Sequence, residues 1–272
     1  MKETGGRTGA SMRPLIGERV EIHGVEIDAL TPEQVVERVM TEAAAGRGGS
    51  VLTPNLEILR LRAADPALQR CFDRASLVVA DGMPLLWAAR LAGRPLPARV
   101  AGSDLIWALS REAAARGLAI YLLGGNPGVA ERAAAVLVGE NPALRVAGTY
   151  CPPLGFEEVP SELERMRRHL AEAEASLVMV GLPFPMADRQ IDELRRRFPE
   201  LWFFGLGITL SFVAGEVRRA PAIMQRTGTE WIHRLAQEPG RLAKRYLVHG
   251  LPFLLRLLVW ALRARAGVRH RG

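Results

Sequence analysis

Cysteine and long apolar runs are both scarce in this 272-residue chain. Its two cysteines, Cys71 and Cys151, are far apart and form no Cys-x-x-Cys pair, so the sequence predicts neither a disulfide framework nor a zinc site and favours a reducing compartment. No stretch reaches the roughly 18–20 apolar residues of a membrane-spanning helix. Residues 1–20 have no apolar signal-peptide core, and we expect a disordered lead-in at residues 1–15.

Several motifs of known enzyme and binding classes are also missing. The chain has no Gly-x-Ser-x-Gly elbow of a serine hydrolase. It has no Asp-x-Asp pair at a strand end that could hold a nucleotide sugar through Mg²⁺ or Mn²⁺. Its five histidines show no metal-ligand spacing, aromatic residues make up only 6%, and we find no nucleic-acid-binding motif. We therefore expect no metal, no cofactor and no nucleic-acid partner.

What the chain does have is a regular alternation of strand-like and helix-like segments over about residues 16–210. The clearest helix start is Thr31-Pro32-Glu33-Gln34, where an N-cap threonine, a proline and a capping-box glutamine agree. Alternation of this kind indicates right-handed βαβ units and a mostly parallel sheet. We predict an α/β fold with a Rossmann-like sheet at residues 16–217. The predicted strands are Val20–Ile27, Ser50–Thr53, Leu77–Ala80, Ala119–Leu123, Arg145–Tyr150, Leu177–Val180 and Trp202–Leu206.

The C-terminal part, residues 218–272, differs sharply in charge from the rest. It holds eleven arginines and one lysine against Glu230 and Glu238, a net charge of +10, whereas the whole chain carries +7 and residues 1–217 therefore −3. Leu251–Leu262 is apolar apart from Arg256. We predict a helical appendage, broken at Pro239 and near Gly250, that docks on an anionic membrane surface. The alternative is a solvated basic helix packed on its own domain.

Polar residues follow two of the predicted strands, where ligands bind in open parallel sheets. Asp81 comes directly after the strand Leu77–Ala80; it is a candidate general base or, alternatively, the N-cap of the next helix. Thr53 ends the strand Ser50–Thr53 and Asn55 follows it; the two could hydrogen-bond a sugar or simply form an Asx-type turn.

A glycine-rich turn and one arginine complete the candidate residues. Gly124-Gly125-Asn126-Pro127-Gly128 follows a clean apolar strand and precedes a helix, an arrangement that suits a diphosphate but also an ordinary tight turn. Arg99 lies in a loop that enters a helix, where it could pair with phosphate or be solvated.

Taken together, these stretches resemble the WecG/TagA/CpsF glycosyltransferases of bacterial envelope polysaccharide synthesis. The matches occur in order and at consistent spacing over roughly residues 20–250. They are Leu52-Thr-Pro-Asn55, Ala80-Asp-Gly-Met-Pro-Leu-Leu-Trp87, Arg99-Val-Ala-Gly-Ser-Asp-Leu105, Leu123-Gly-Gly-Asn-Pro-Gly-Val129, Phe203-Phe-Gly-Leu-Gly207, Ala214-Gly215, Arg219-Ala-Pro221, Gly228-Thr-Glu-Trp231 and Arg234-Leu-Ala-Gln-Glu-Pro239, with Arg241 and Arg245.

The resemblance implies an inverting, metal-independent enzyme that moves an N-acetylmannosamine-type or other hexose from a UDP-sugar. The acceptor would be an undecaprenyl-diphosphate-linked sugar at the cytoplasmic face of the bacterial membrane, to which the enzyme would bind peripherally. Asp81 would be the general base, and Thr53 and Asn55 would hold a sugar. The turn Gly124–Gly128 would cradle the nucleotide.

The resemblance also gives the appendage a role. Arg234, Arg241 and Arg245, at helical spacings, would meet the substrate diphosphates in place of a metal. The apolar appendage surface also favours homo-oligomers, dimers or trimers, where no membrane is present.

The chain departs from the family pattern at two places. Met186 and Ala187 replace a lysine and a substrate-contacting glutamine, and Ser211 stands where relatives often have aspartate. These changes leave open a different donor or acceptor, and also a non-catalytic binder that scaffolds an assembly complex. A nicotinamide-dependent oxidoreductase is disfavoured, because no acidic residue follows the glycine turn where a ribose would bind.

Overall fold

A computed structural model describes residues 17–269, except the side chains of Ala222, Arg226, Arg241, Val268 and Arg269. The predicted lead-in at residues 1–15 lies outside the described residues. Within them, the α/β prediction is confirmed: six parallel strands form one sheet in the order β4-β3-β8-β7-β5-β6, and β1 and β2 form a separate hairpin. The strands are β1 Arg19–Ile22, β2 Val25–Asp28, β3 Gly49–Leu52, β4 Leu77–Val78, β5 Ala119–Gly124, β6 Arg145–Tyr150, β7 Leu177–Gly181 and β8 Trp202–Gly205.

Helices connect the strands and form the C-terminal part of the chain. They are α1 Pro32–Ala44, α2 Leu56–Ala64, α3 Pro66–Arg74, α4 Met83–Leu91, α5 Gly102–Arg116, α6 Val129–Glu140, α7 Pro160–Glu172, α8 Met186–Arg197, α9 Thr209–Val213, α10 Ala222–Thr227, α11 Glu230–Gln237, α12 Pro239–Ala243 and α13 Leu251–Arg269. A single 3₁₀ turn spans Phe156–Glu158, and a π-helical stretch spans Lys244–Gly250.

Local capping signals explain why several helices begin where they do. Thr31 accepts a hydrogen bond from the Gln34 backbone N–H, and the Gln34 side chain accepts one from the Thr31 backbone, so the predicted capping box is present. Asp65 caps α3 through the backbone N–H groups of Ala67 and Leu68. Helix α7 begins without a side-chain cap: Val159 precedes it and Pro160 is its first residue.

The first predicted strand, Val20–Ile27, is a hairpin rather than one strand. β1 and β2 pair antiparallel, with Ile22 opposite Val25. His23 and Gly24 between them have φ angles of 50° and 77°, the positive values that a two-residue hairpin turn requires. The reversal was missed because apolar and charged residues alternate on both sides of the turn, and both strands turn their apolar side chains into the same core.

The sheet is buried on both faces, as parallel sheets usually are. One core packs α1, α5, α6 and α9 against the sheet, and the other packs α2, α3, α4, α7 and α8 together with the hairpin. Helix α13 belongs to this second core: Phe253, Leu257 and Ala261 are buried in it. The α/β body and the end of the chain therefore share one hydrophobic core.

The expected helix break near Gly250 is not found. The π-helical stretch passes directly into α13, and Leu251 has helical φ and ψ of −63° and −46°. A π turn widens the backbone spiral, which accommodates the missing N–H and the ring of Pro252. The break at Pro239 is confirmed, since the preceding Glu238 leaves the helical region with φ −134° and ψ 61°.

This continuity corrects the expectation that no segment is long enough to cross a membrane. Lys244–Gly267 forms one helix of 24 residues that is long and apolar enough by length and composition alone. One face of this helix is packed on the protein through Phe253, Leu257 and Ala261, while its other face is exposed. In this structure the helix lies along the body.

Candidate active site

A large cleft lies at the carboxyl ends of the central strands, where parallel sheets bind their ligands. Its volume is about 1800 Å³. The ends of β3, β4, β5, β7 and β8 form its floor, and α11 and the π-helical stretch form another wall. The cleft therefore lies between the α/β body and the C-terminal helices.

Asp81 lies in this cleft just beyond β4. Its backbone N–H donates to the Pro54 carbonyl at 3.0 Å, which ties the residue to the loop that follows β3. The alternative role as a helix cap is not observed, because Gly82 is the N-cap of α4 and that helix start has no side-chain hydrogen bond. The Asp81 carboxyl is thus free of a capping duty and opens on the cleft, with 29% of its side chain exposed.

The surroundings of Asp81 make its carboxyl unusually basic. The pKa of Asp81 is raised to about 7, mainly by burial; Arg99 and Arg219 oppose this rise, and Glu230 and Asp104 add to it. Arg99 Nη1 stands 3.8 Å from Asp81 Oδ1, too far for a hydrogen bond. A carboxylate with a pKa near the working pH is suited to accept a proton during a reaction.

Thr53 and Asn55 line the cleft beside Asp81. The Thr53 hydroxyl donates to the Gly205 carbonyl at 3.4 Å and so joins the ends of β3 and β8. Asn55 has the Asx-type role that the sequence left open: its Oδ1 accepts from the backbone N–H groups of Glu57 at 3.1 Å and Ile58 at 3.2 Å, and so caps α2. This cap occupies the amide oxygen and leaves the amide NH₂ as the group that Asn55 can offer a ligand.

The glycine-rich turn follows β5 as predicted, and its five residues divide into two roles. Gly125, Asn126 and Pro127 line the cleft. Gly124 and Gly128 shape the turn: both have positive φ angles, 99° and 79°, and a Cβ on Gly124 would lie 2.9 Å from the Leu182 Cδ2 atom. Asn126 is fixed by its Nδ2 group, which donates to Glu216 Oε1 at 3.0 Å.

Arg99 lines the cleft and makes ion pairs there. It lies among three carboxylates: 3.8 Å from Asp81, 3.2 Å from Asp104 and 3.7 Å from Glu230. A second arginine, Arg219, contacts Asp104 at 2.6 Å and Glu230 at 3.8 Å. Glu230 belongs to α11, so this network links the C-terminal helices to the loop of Asp81.

The appendage arginines do not share one helix. Arg234 lies on α11 and Arg245 in the π-helical stretch, because Pro239 separates the two. Both line the cleft. The Arg245 guanidinium stands 3.8 Å from Glu57 Oε1 and over the Tyr246 ring, 5.9 Å from its centroid. Arg241 belongs to α12, but its side chain lies outside the described part of the structure.

Four acidic residues of the cleft region were not among the predicted site residues. Asp104 and Glu230 contact Arg99, Glu216 contacts Asn126, and Asp188 is buried at the cleft wall, where burial raises its pKa to about 7. Two of them had a signal in the sequence: Asp104 and Glu230 lie inside the family-like stretches Arg99–Leu105 and Gly228–Trp231. Glu216 and Asp188 became visible only when the fold brought distant segments together.

The strand ends, the glycine turn and the C-terminal helices that form the cleft come from nearly the whole length of the chain. A comparison with known protein families matches the same length. The sequence profile of the WecG/TagA/CpsF glycosyl transferase family matches residues 20–267. The chain belongs to this family. It is therefore a glycosyltransferase of a family that serves envelope polysaccharide synthesis, and the cleft is the candidate site for its sugar donor and acceptor.

The departures from the WecG/TagA/CpsF pattern also lie on this cleft. Met186 and Ala187 begin α8 and replace polar groups with apolar surface. The Ser211 hydroxyl donates to Glu216 Oε2 at 2.7 Å, and hydrogen bonds from Asn126 and Ser211 lower the pKa of Glu216. Glu216 therefore supplies a negative charge beside Ser211, where relatives often carry it on an aspartate.

Metal-binding side chains form no cluster within residues 17–269 as far as their side chains are described: no three His, Cys, Asp or Glu residues are placed to hold an ion together.

Proposed function

We propose that this protein is an inverting, metal-independent glycosyltransferase that moves an N-acetylmannosamine-type or other hexose from a UDP-sugar to an undecaprenyl-diphosphate-linked sugar. The observation that carries the proposal is the Asp81 carboxyl, which opens on the cleft, caps no helix and has its pKa raised to about 7. Thr53 and Asn55 lie beside it, and the glycine turn and two arginines line the same cleft.

In the proposed reaction the acceptor hydroxyl gives its proton to Asp81 as its oxygen attacks the anomeric carbon of the donor. A new carbon–oxygen bond forms on one face of the sugar while the bond to UDP breaks on the other, so the configuration inverts. UDP leaves with the bonding electrons, and its growing negative charge is met by Arg234 and Arg245 and by the positive end of α6 behind the glycine turn. Thr53 and the amide NH₂ of Asn55 hold sugar hydroxyls near Asp81.

The proposal predicts that Asp81→Asn lowers transfer about 10²- to 10⁴-fold, the usual contribution of a general base. The assay offers a panel of UDP-sugars with a short-chain lipid-diphosphate-sugar acceptor and contains EDTA. Because only the ionised carboxylate accepts a proton, kcat/KM of the wild type should rise with pH through about pH 7. Asp73→Asn, at an exposed carboxylate, is the matched control and keeps full activity.

A second candidate function is a non-catalytic binder of lipid-linked intermediates that scaffolds an assembly complex. The apolar surface of Met186 and Ala187 in the cleft supports it. If UDP and the lipid-linked sugar bind but no donor in the panel is turned over, this second function replaces the first. Transfer that stops when EDTA is added would contradict metal independence alone.

A further inference from the structure

The two arginines beside Asp81 are held by carboxylates from other parts of the chain. Asp104, in the first turn of α5, contacts Arg99 at 3.2 Å and Arg219 at 2.6 Å. Glu230, in the first turn of α11, reaches the same two arginines with its two oxygens, at 3.7 Å and 3.8 Å. Arg219 Nη1 donates to Asp104 Oδ1 at 2.6 Å and to the Ser103 carbonyl at 3.5 Å, whereas its buried Nε and Nη2 have no hydrogen-bond partner among the described residues.

The charges of this cluster do not balance when every group is ionised. Asp81, Asp104 and Glu230 bring three negative charges, and Arg99 and Arg219 bring two positive ones. A guanidinium that was free to move would form a hydrogen-bonded ion pair with a nearby carboxylate. Such a bond between Arg99 and Asp81 would lower the pKa of Asp81 and make it a weaker base. The observed 3.8 Å gap is therefore a feature that something must maintain.

We infer that Glu230 is a positioning residue that holds Arg99 back from Asp81, so that packing of the C-terminal helices on the body keeps the general base able to accept a proton. This inference rests on the proposed function of Asp81. In this inference Glu230 does not contact the reacting atoms; it acts on Asp81 through Arg99. The C-terminal helices then contribute to proton transfer as well as contacting the substrate or the membrane.

The inference has a geometric basis in how α11 is fixed to the body. Gly228, two residues before Glu230, has φ 74°, and a Cβ there would lie 2.5 Å from the Met83 Cγ atom of α4. The chain can approach α4 this closely only with glycine. Because α4 follows Asp81 directly, this contact sets Glu230 at a fixed distance from the loop of Asp81.

The test is the titration of the Asp81 carboxyl in the full-length protein. The side-chain carboxyl carbons of aspartate are labelled with ¹³C, and the Asp81 signal is assigned by its loss in Asp81→Asn. We expect a wild-type midpoint at about pH 7. In Glu230→Gln, Arg99 is released toward Asp81, and the midpoint falls by about one pH unit, a tenfold change in acidity. Glu230→Asp keeps the charge and recovers most of the shift.

A second variant, for which we expect the Asp81 midpoint to move in the opposite direction, distinguishes this effect from misfolding. Arg219→Gln removes a positive charge and leaves Glu230 more available to Arg99, so the Asp81 midpoint should rise. The matched control is Glu162→Gln, at another carboxylate of the cleft that contacts Tyr150 and lies outside the network, and it should leave the midpoint unchanged. General loosening of the fold would move both network variants in the same direction.

The outcomes separate this inference from the proposed function. An Asp81 midpoint that stays within 0.3 pH units, on the order of the precision of such titrations, in both Glu230→Gln and Arg219→Gln overturns the role of Glu230 even if transfer depends on Asp81. Shifts of the expected signs support it, even if no sugar donor is turned over, when Glu230→Gln no longer moves the midpoint in an Arg99→Gln background. A shift that persists without Arg99 would be the direct effect of the Glu230 charge and would overturn the positioning role. Where transfer is measurable, the rise of kcat/KM with pH should move to lower pH in Glu230→Gln, a change that a purely structural glutamate would not produce.

Discussion

The carboxyl group of Asp81 shows how a residue placed for catalysis can lower the stability of the folded protein. Asp81 is ionised in the unfolded chain above pH ~3.9, whereas in the folded protein burial raises its pKa to about 7. Between those two values the unfolded chain loses this proton more readily than the folded protein. The native state therefore loses stability as pH rises, and the contribution is fully present only below pH ~3.9.

This linkage predicts that Asp81→Asn is more stable than the wild type at pH 8, by about 3 °C in Tm, because asparagine keeps the shape and removes the buried charge. The difference should shrink as pH falls and vanish near pH 4. Thermal unfolding followed by circular dichroism at several pH values measures it. Asp73→Asn, at an exposed site, should show no such trend, and a Tm gain independent of pH would contradict the assigned cause.

Asn55 is a second residue whose two ends do different things. Its Oδ1 caps α2, while its NH₂ remains for a ligand. We expect Asn55→Asp to retain the cap and the Tm but to lower transfer at least about tenfold through loss of a donor. Asn55→Ala should lose both, with a stability cost of ~1 kcal/mol. Equal activity of Asn55→Asp and the wild type would remove Asn55 from the proposed substrate contacts.

At the scale of elements, the sequence predicted those helix starts that depend on residues close together in the chain. Thr31 caps α1 through Gln34, three residues away, and the capping box that predicted this helix start is readable in the sequence. The turn at His23-Gly24 and the π turn before Pro252 were missed, because each is chosen by packing of the flanking segments on a common core. For the site, residue positions at strand ends were predictable, but the ion pairs of Glu230 with Arg99 and Arg219 were not, since they join segments far apart in the chain.

The role of the glycine turn after β5 in nucleotide binding can be tested by substituting Gly124, with a substitution of Gly139 in the following helix as the control. Gly124→Ala puts a Cβ 2.9 Å from Leu182 at a φ of 99°, so we expect a loss of about 1–3 kcal/mol and weaker UDP binding. Gly139→Ala, in helix α6 where a Cβ would meet nothing within 4 Å, should instead gain ~0.5–1 kcal/mol. Denaturant unfolding and UDP titration measure both; unchanged UDP affinity in a folded Gly124→Ala would mean that the turn is not part of the nucleotide site.

On the scale of the whole molecule, charge and apolar surface coincide on one side. The outer face of the long C-terminal helix exposes a stripe of large apolar residues beside Arg256, Arg263 and Arg265: Val248, Leu251, Leu255, Val259 and Leu262. Its inner face is packed on the core, so the helix can rest on a membrane surface while it remains attached to the body. For this reason we propose that the helix binds the membrane surface peripherally rather than spanning the membrane.

The stripe gives a test that leaves the core intact. Leu251→Glu combined with Leu255→Glu should abolish cosedimentation with anionic vesicles, because it puts two negative charges on the apolar stripe. Tm should change little, because the two side chains are 50% and 58% exposed. Val136→Glu, at an exposed apolar residue of α6, is the control and should bind vesicles like the wild type. Retained binding by the double variant, at both low and high salt, would show that this face does not dock on the membrane.

The packing of His23 has a consequence for how the chain is made. Its ring meets Phe253 at 5.2 Å and Trp260 at 6.3 Å between centroids, so the turn of the first hairpin is covered by the last helix. During synthesis the hairpin emerges from the ribosome long before its cover exists, and the apolar side chains Val20 and Ile22 lack part of their final surroundings until residue 260 has been added. Contacts between such distant segments slow folding. The hairpin therefore reaches its final packing only after the segment from Phe253 to Trp260 has been synthesised and has folded onto it.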